Sequence, residues 1–79
     1  MPLIELKYFP RDLSQEQMVK IAERMVEAVK TEIDAPQEAF TVTMQQISRE
    51  DWPNTVLPNL EKAPENIVME HGTIKLQIQ

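Results

Sequence analysis

Pro2-Leu3-Ile4-Glu5-Leu6-Lys7-Tyr8-Phe9 is the stretch on which the reading of the fold turns. Ile4, Leu6 and Tyr8 fall on one side of it, and Leu3, Glu5, Lys7 and Phe9 on the other. That is the period-two pattern of a β-strand. Pro2 shares the side of Ile4 and Leu6. At the first position of a strand a proline costs no ladder hydrogen bond, so its missing N–H is tolerated there. Pro10 ends the run, and Arg11-Asp12-Leu13 forms a connection. Pro2 also has a chemical reading. It is a small residue directly behind the initiator methionine, a setting in which bacterial processing usually removes Met1. The mature chain then begins with a secondary amine that leads straight into a strand. An α-amino group has an unperturbed pKa of roughly 7.7–8.0, close to the optimum for a general base at neutral pH.

Beyond the connection, the period changes. Ser14 through Gln17 has the form of a capping box, with Leu13 and Met18 where a hydrophobic staple would sit. Met18, Ile21, Ala22, Met25, Val26, Val29 and Ile33 then recur at three- and four-residue steps and make one apolar stripe. Glu16, Lys20, Glu23, Arg24, Glu27 and Lys30 cover the rest. The methionines are core filler on this stripe. Pro36 disfavours helix at Ala35, which predicts a helix end near Ile33 or Asp34.

Phe40 to Ile47 alternates again, with Phe40, Val42 and Met44 on one face and Thr41, Thr43 and Gln45 on the other. Strand, long helix and strand make a βαβ unit, so the two strands are expected to run parallel with a right-handed crossover. Two parallel strands and one helix cannot cover both faces of a sheet. A second subunit is expected to complete it. Ser48 to Pro64 is less regular. Trp52-Pro53 reads as a turn or a short helical start, and Asn54 to Lys62 has room for about two helical turns. Ile67 to Met69 is a candidate short strand. Glu70-His71-Gly72 holds the only glycine, which predicts a tight turn. Thr73 to Gln79 alternates, with Ile74, Leu76 and Ile78 on one face, as a terminal strand suited to pairing with a neighbouring subunit. Repeats and low-complexity tracts are absent from the sequence.

Seventy-nine residues are expected to form a single domain, residues 1–79. A chain this short buries little more than ~60% of its unfolded surface, and chains of this size often rely on disulfides, a metal or self-association. Cysteine is absent and His71 is the single histidine, which leaves association as the expected staple. The net charge of −5, with 8 basic residues scattered among 13 acidic ones, argues against a nucleic-acid partner. No apolar run approaches the ~20 residues of a membrane helix, and the N-terminus lacks a signal-peptide pattern. A soluble, cytoplasmic protein is the expectation.

These residues carry a resemblance. Met1-Pro2 stands before an alternating strand, an arginine stands at the strand end, and one long helix closes through Ile33-Asp34-Ala35-Pro36 into a second strand. In this the chain resembles the tautomerase superfamily, specifically its small 4-oxalocrotonate tautomerase-like group, from Pro2 to about Trp52. The Gln45-Gln46-Ile47 run followed by Trp52 is similar to a dimeric bacterial branch whose members act on enols of phenylpyruvate-like acids. The resemblance implies an α+β fold: a βαβ unit with parallel strands and one long helix, a short C-terminal strand or hairpin, and a sheet completed by a second subunit. It implies a homodimer, with a hexamer as the alternative.

For the site, the resemblance implies that the free Pro2 amine shuttles a proton between carbon and oxygen of a keto–enol pair, without a cofactor or metal. Arg11 falls within one residue of a family arginine that binds substrate carboxylate or carbonyl oxygen. A guanidinium suits that role through a two-pronged, charge-assisted contact. Trp52 lies where the family has an aromatic wall, which excludes water and lowers an amine pKa by desolvation. Thr41 is a departure, because the best-known members carry a second substrate-binding arginine there. That favours a monocarboxylate with an apolar tail over a dicarboxylate. Two other readings stand beside this one: a non-catalytic βαβ interaction protein, and a hydratase or dehalogenase that uses Pro2 as acid.

Overall fold

The computed structural model describes residues 1–77, which fall into two compact units, Met1–Ile47 and a second that begins at Ser48. The first unit is the βαβ arrangement that the alternation predicts. Strand β1 (Leu3–Tyr8) leads to helix α1 (Gln15–Ile33) and then to strand β2 (Thr41–Gln46). The two strands pair parallel, from Leu3 opposite Thr41 to Tyr8 opposite Gln46. One hydrogen bond extends the ladder at each end, from Thr41 N–H to the Pro2 carbonyl (3.0 Å) and from Ile47 N–H to the Tyr8 carbonyl (2.8 Å). Strand β1 stops one residue short of the predicted Phe9, which lies in a bend before Pro10. Strand β2 starts at Thr41 rather than Phe40, because a single 3-10 turn at Gln37–Ala39 uses the Phe40 N–H to close onto the Gln37 carbonyl.

Both ends of α1 follow from local chemistry. Ser14 Oγ accepts the Gln17 backbone N–H at 3.1 Å, and Gln17 Oε1 accepts the Ser14 N–H at 2.8 Å. This reciprocal box satisfies two donors that the first turn leaves without partners. Lys20 reaches Glu16 at 3.6 Å, a pair worth about 0.2–0.5 kcal/mol. At the other end Asp34 turns into the left-handed region (φ 51°, ψ 56°), and the Ala35 N–H bonds back to the Lys30 carbonyl at 3.2 Å. Aspartate is among the few residues that visit that region readily. Pro36 then keeps Ala35 from continuing the helix.

Val26 at the centre of the α1 stripe and Ile47 just after β2 are buried, 7% and 5% exposed. Around them Met18, Ile21, Ala22, Met25 and Val29 of the helix are half-buried, as are Ile4, Leu6, Tyr8, Val42 and Met44 of the sheet. These are the shielded sides of the unit, and they cover each other. The opposite sheet face stays open: Glu5, Thr41, Thr43 and Gln45 are exposed, and Leu3 is 59% exposed.

The second unit is built from short elements: α2 (Trp52–Thr55), α3 (Leu57–Lys62), a 3-10 turn at Pro64–Asn66, β3 (Met69–Glu70) and β4 (Thr73–Ile74). Trp52 does open a helical turn. The predicted helix over Asn54–Lys62 is divided at Val56, and each of α2 and α3 carries a proline in its first turn. An N–H is not needed at that position, whereas deeper in a helix its loss would break a bond. Strands β3 and β4 pair antiparallel, Met69 opposite Ile74 and Glu70 opposite Thr73. His71 (φ 49°) and Gly72 (φ 81°) close them. Two successive positive φ values are what a two-residue hairpin turn of the right twist requires. Strand β3 is shifted from the expected Ile67–Met69, because the Ile67 N–H closes the 3-10 turn onto the Pro64 carbonyl (3.1 Å), and β4 is shorter than the alternation from Thr73 predicts. Ile78 and Gln79 lie outside the described residues.

Candidate active site

Pro2 is half-buried at the head of β1, on the same side of the sheet as Ile4 and Leu6. Its carbonyl is held by the Thr41 N–H. Met1 before it is fully exposed (102%). The backbone on the nitrogen side of Pro2 therefore leads directly to solvent. The bond between Pro2 and Thr41 joins backbone groups, and Thr41 pairs with Leu3, so its side chain lies with Leu3 on the sheet face opposite Pro2.

Arg11 lies in the exposed connection after β1. Its carbonyl accepts the Leu13 N–H at 3.1 Å, a tight local turn that sets up the entry to α1. Among the described residues no carboxylate lies within ion-pair distance of its guanidinium, which leaves its donors available to an anion. Pro2 and Arg11 flank β1 at opposite ends. Six strand residues separate the two, which at a rise of about 3.3 Å per residue is roughly 20 Å of strand. Within one chain the structure does not bring them together.

Trp52 belongs to the second unit, where it opens α2 and is half-buried. Ser48 fixes this corner twice. Its carbonyl accepts the Trp52 N–H (3.0 Å), and its Oγ accepts the Asp51 N–H (3.1 Å). Arg49, three residues before Trp52, is exposed in the same turn.

The second unit also has an open cavity of about 460 Å³, lined by Leu57, Leu60, Glu61, Pro64, Ile67, Glu70 and Lys75. None of Pro2, Arg11 and Trp52 lines it. Sequence reasoning missed this cavity. The one available signal was the apolar set Leu57 and Leu60, both on α3, and Ile67 just after the 3-10 turn. Among the described residues no group of three or more His, Asp or Glu side chains is placed to hold a metal ion. No described helix is long and apolar enough to cross a membrane.

The tautomerase enzyme family model matches residues 2–54. Among the similar proteins are several with the name Tautomerase PptA. The protein of Enterobacter sp. (strain 638) is 33% identical over 52 residues, 66% of this chain and 68% of the relative. That of Cronobacter sakazakii (strain ATCC BAA-894) is 29% identical over 56 residues, 71% and 74% of the two chains. That of Shigella sonnei (strain Ss046) is 25% identical over 72 residues, 91% and 96% of the two chains, so that similarity continues into the second unit. The parallel strands, the single long helix and the C-terminal hairpin agree with the match to the family: the chain belongs to the tautomerase family and is an isomerase of the tautomerase type.

Proposed function

We propose that this protein is a cofactor-independent keto–enol tautomerase of 2-oxo acids with an apolar tail, of the phenylpyruvate class. In this reading residues 1–79 act as one domain, in the cytoplasm, as a homodimer. The Pro2 amine, freed by removal of Met1, is the general acid and base. In the direction of ketonisation the amine accepts the enol hydroxyl proton and a proton is delivered to C3, so that the C2–C3 double bond becomes a C2 carbonyl. Arg11 holds the carboxylate, and Trp52 walls the site against water.

The observation that carries this reading is the setting of Pro2. Its carbonyl is tied to Thr41, while the residue on its nitrogen side is fully exposed. Loss of Met1 therefore breaks no strand pairing and leaves an amine fixed at the head of β1. The related proteins named as tautomerases support the reaction type.

The length of β1 gives the dimer a chemical role. Roughly 20 Å of strand between Pro2 and Arg11 exceeds the length of a phenylpyruvate-sized acid, so the arginine beside a given Pro2 comes from the other copy. Two β1 strands paired antiparallel across a two-fold axis would place each Pro2 near the far end of the neighbouring strand. The open face and free edges of the two-stranded sheet suit such a pairing.

The test is the decay of enol-phenylpyruvate, followed by its ultraviolet absorbance with protein whose N-terminus has been read by mass spectrometry. Protein that begins at Pro2 is expected to accelerate ketonisation over buffer. No acceleration by the processed protein would refute the proposal.

A further inference from the structure

Phe40 stands next to Pro2 in the sheet. Leu3 pairs with Thr41, and the bond from the Thr41 N–H to the Pro2 carbonyl belongs to that pair. One step back along both strands Pro2 falls beside Phe40, whose backbone is still extended (φ −87°, ψ 142°). Adjacent strands lie about 4.8 Å apart, and residues opposite each other project to the same face. Burial alternates to match. Pro2, Ile4 and Leu6 along β1 and Phe40, Val42 and Met44 along β2 are half-buried, whereas Leu3, Glu5, Thr41 and Thr43 are exposed. Phe40 is itself held on both sides. Its N–H closes onto the Gln37 carbonyl at 3.1 Å, and the next N–H, that of Thr41, holds the Pro2 carbonyl at 3.0 Å.

This neighbour matters once Met1 is gone. The Thr41 bond fixes the Pro2 carbonyl, and the pyrrolidine ring locks the N–Cα bond. Rotation about Cα–C, one of the two soft backbone torsions, remains free. That rotation swings the ring, and the amine nitrogen with it, about a carbonyl that stays in place. The Thr41 side chain cannot stop it, because it lies on the opposite face. A phenyl ring on Pro2's own face can, since the pyrrolidine methylenes pack against it when the ring is turned to the shielded side.

We infer that Phe40 is a positioning residue for the Pro2 amine: its ring holds the pyrrolidine against the shielded face and so aims the nitrogen lone pair. The inference rests on the reading of Pro2 as general acid and base, and it adds the side chain that gives that base its direction. A base must lie within hydrogen-bond reach of the proton it moves, and a misplacement of about 1 Å can cost roughly a hundredfold in rate. Loss of aim lowers kcat and leaves the carboxylate contact to Arg11 in place.

Phe40→Ala and Phe40→Leu, each shown by mass spectrometry to begin at Pro2, test this with enol-phenylpyruvate alongside the unaltered protein. In Phe40→Ala, kcat is expected to fall by roughly tenfold to a hundredfold with KM little changed. Phe40→Leu keeps a branched apolar side chain beside the ring and should recover most of that loss. An undiminished kcat in Phe40→Ala, a loss confined to KM, or a Phe40→Leu no faster than Phe40→Ala would overturn the positioning role while leaving the Pro2 mechanism intact. No acceleration by the unaltered processed protein would overturn both at once. Nuclear Overhauser contacts in the unaltered processed protein guard against variants that misfold. The Phe40 ring protons should show contacts to the Pro2 ring methylenes, and their absence would overturn the inference.

Discussion

Mixing two inactive forms should restore activity, and the amount restored is set by the length of β1. One form carries Arg11→Ala; the other carries an uncleaved extension before Pro2, which turns the proline nitrogen into an amide. Alone, Arg11→Ala loses a charge-assisted contact of about 1.5–3 kcal/mol, a fall in kcat/KM of roughly tenfold to a hundredfold. The extended form should be nearly inactive. Equal amounts, dissociated and reassociated, give one half heterodimers if pairing is random. If Pro2 and Arg11 meet across the two-fold axis, each heterodimer has one site with both groups intact, and the mixture recovers about a quarter of the native activity. If both groups of a site come from one chain, no complete site forms. The mixture then shows at most ~5% of native activity, half the rate of Arg11→Ala. The assay is enol-phenylpyruvate decay before and after reassociation, with the heterodimer fraction read by native mass spectrometry. Recovery below ~5% with heterodimers present would refute the shared site derived from the roughly 20 Å of strand.

Three further outcomes are expected. With threonine at position 41, where the family resemblance places a second substrate-binding arginine, kcat/KM should be higher for enol-phenylpyruvate than for a dicarboxylate enol; the contrary preference in a side-by-side assay would mean that another cation has taken that role. Ser14→Ala removes the cap on the Gln17 N–H and should cost about 0.5–2 kcal/mol, or several degrees in Tm for a chain of this size, read by thermal melting with activity per folded molecule retained. Gly72→Ala meets no atom within 4 Å, but it must hold φ at 81°; melting should show destabilisation from strain alone.

The first unit was legible because each of its elements repeats a pattern over many residues. The alternation from Pro2 to Tyr8 and the stripe from Met18 to Val29 each commit a face, with Ile33, expected in the stripe, exposed, and Ser14 with Gln17 marks where the period changes. His71-Gly72 was legible for a different reason, since a lone glycine after a short polar run admits few conformations other than a turn. The second unit was less so. The division at Val56 and the 3-10 turn at Gln37–Ala39 depend on one or two hydrogen bonds each. No periodicity announces such features. The residues from Thr73 onward alternate past Ile74, where β4 ends, although the Lys75 N–H still reaches the Val68 carbonyl. The candidate site shows the same limit. Pro2, Arg11 and Trp52 could each be singled out by residue type and resemblance, but the distance that β1 puts between Pro2 and Arg11 emerges only from counting a formed strand. That the Thr41 backbone meets the Pro2 carbonyl likewise depends on the parallel register.

The central claim is that the Pro2 amine does the chemistry, and the most direct measurement compares kcat/KM for enol-phenylpyruvate between protein that begins at Pro2 and protein that keeps an extension before it. The processed form should be active, with kcat/KM rising with pH through a pKa at or below neutrality, because the unprotonated amine is the working form and a nearby arginine disfavours its cation. Pro2→Ala, which leaves a primary amine after processing, should keep part of the activity. The extended form, confirmed by mass spectrometry and by an unchanged circular dichroism spectrum, should lose nearly all of it. Full activity in the extended form would mean that another group moves the proton and that the mechanism built on Pro2 is wrong.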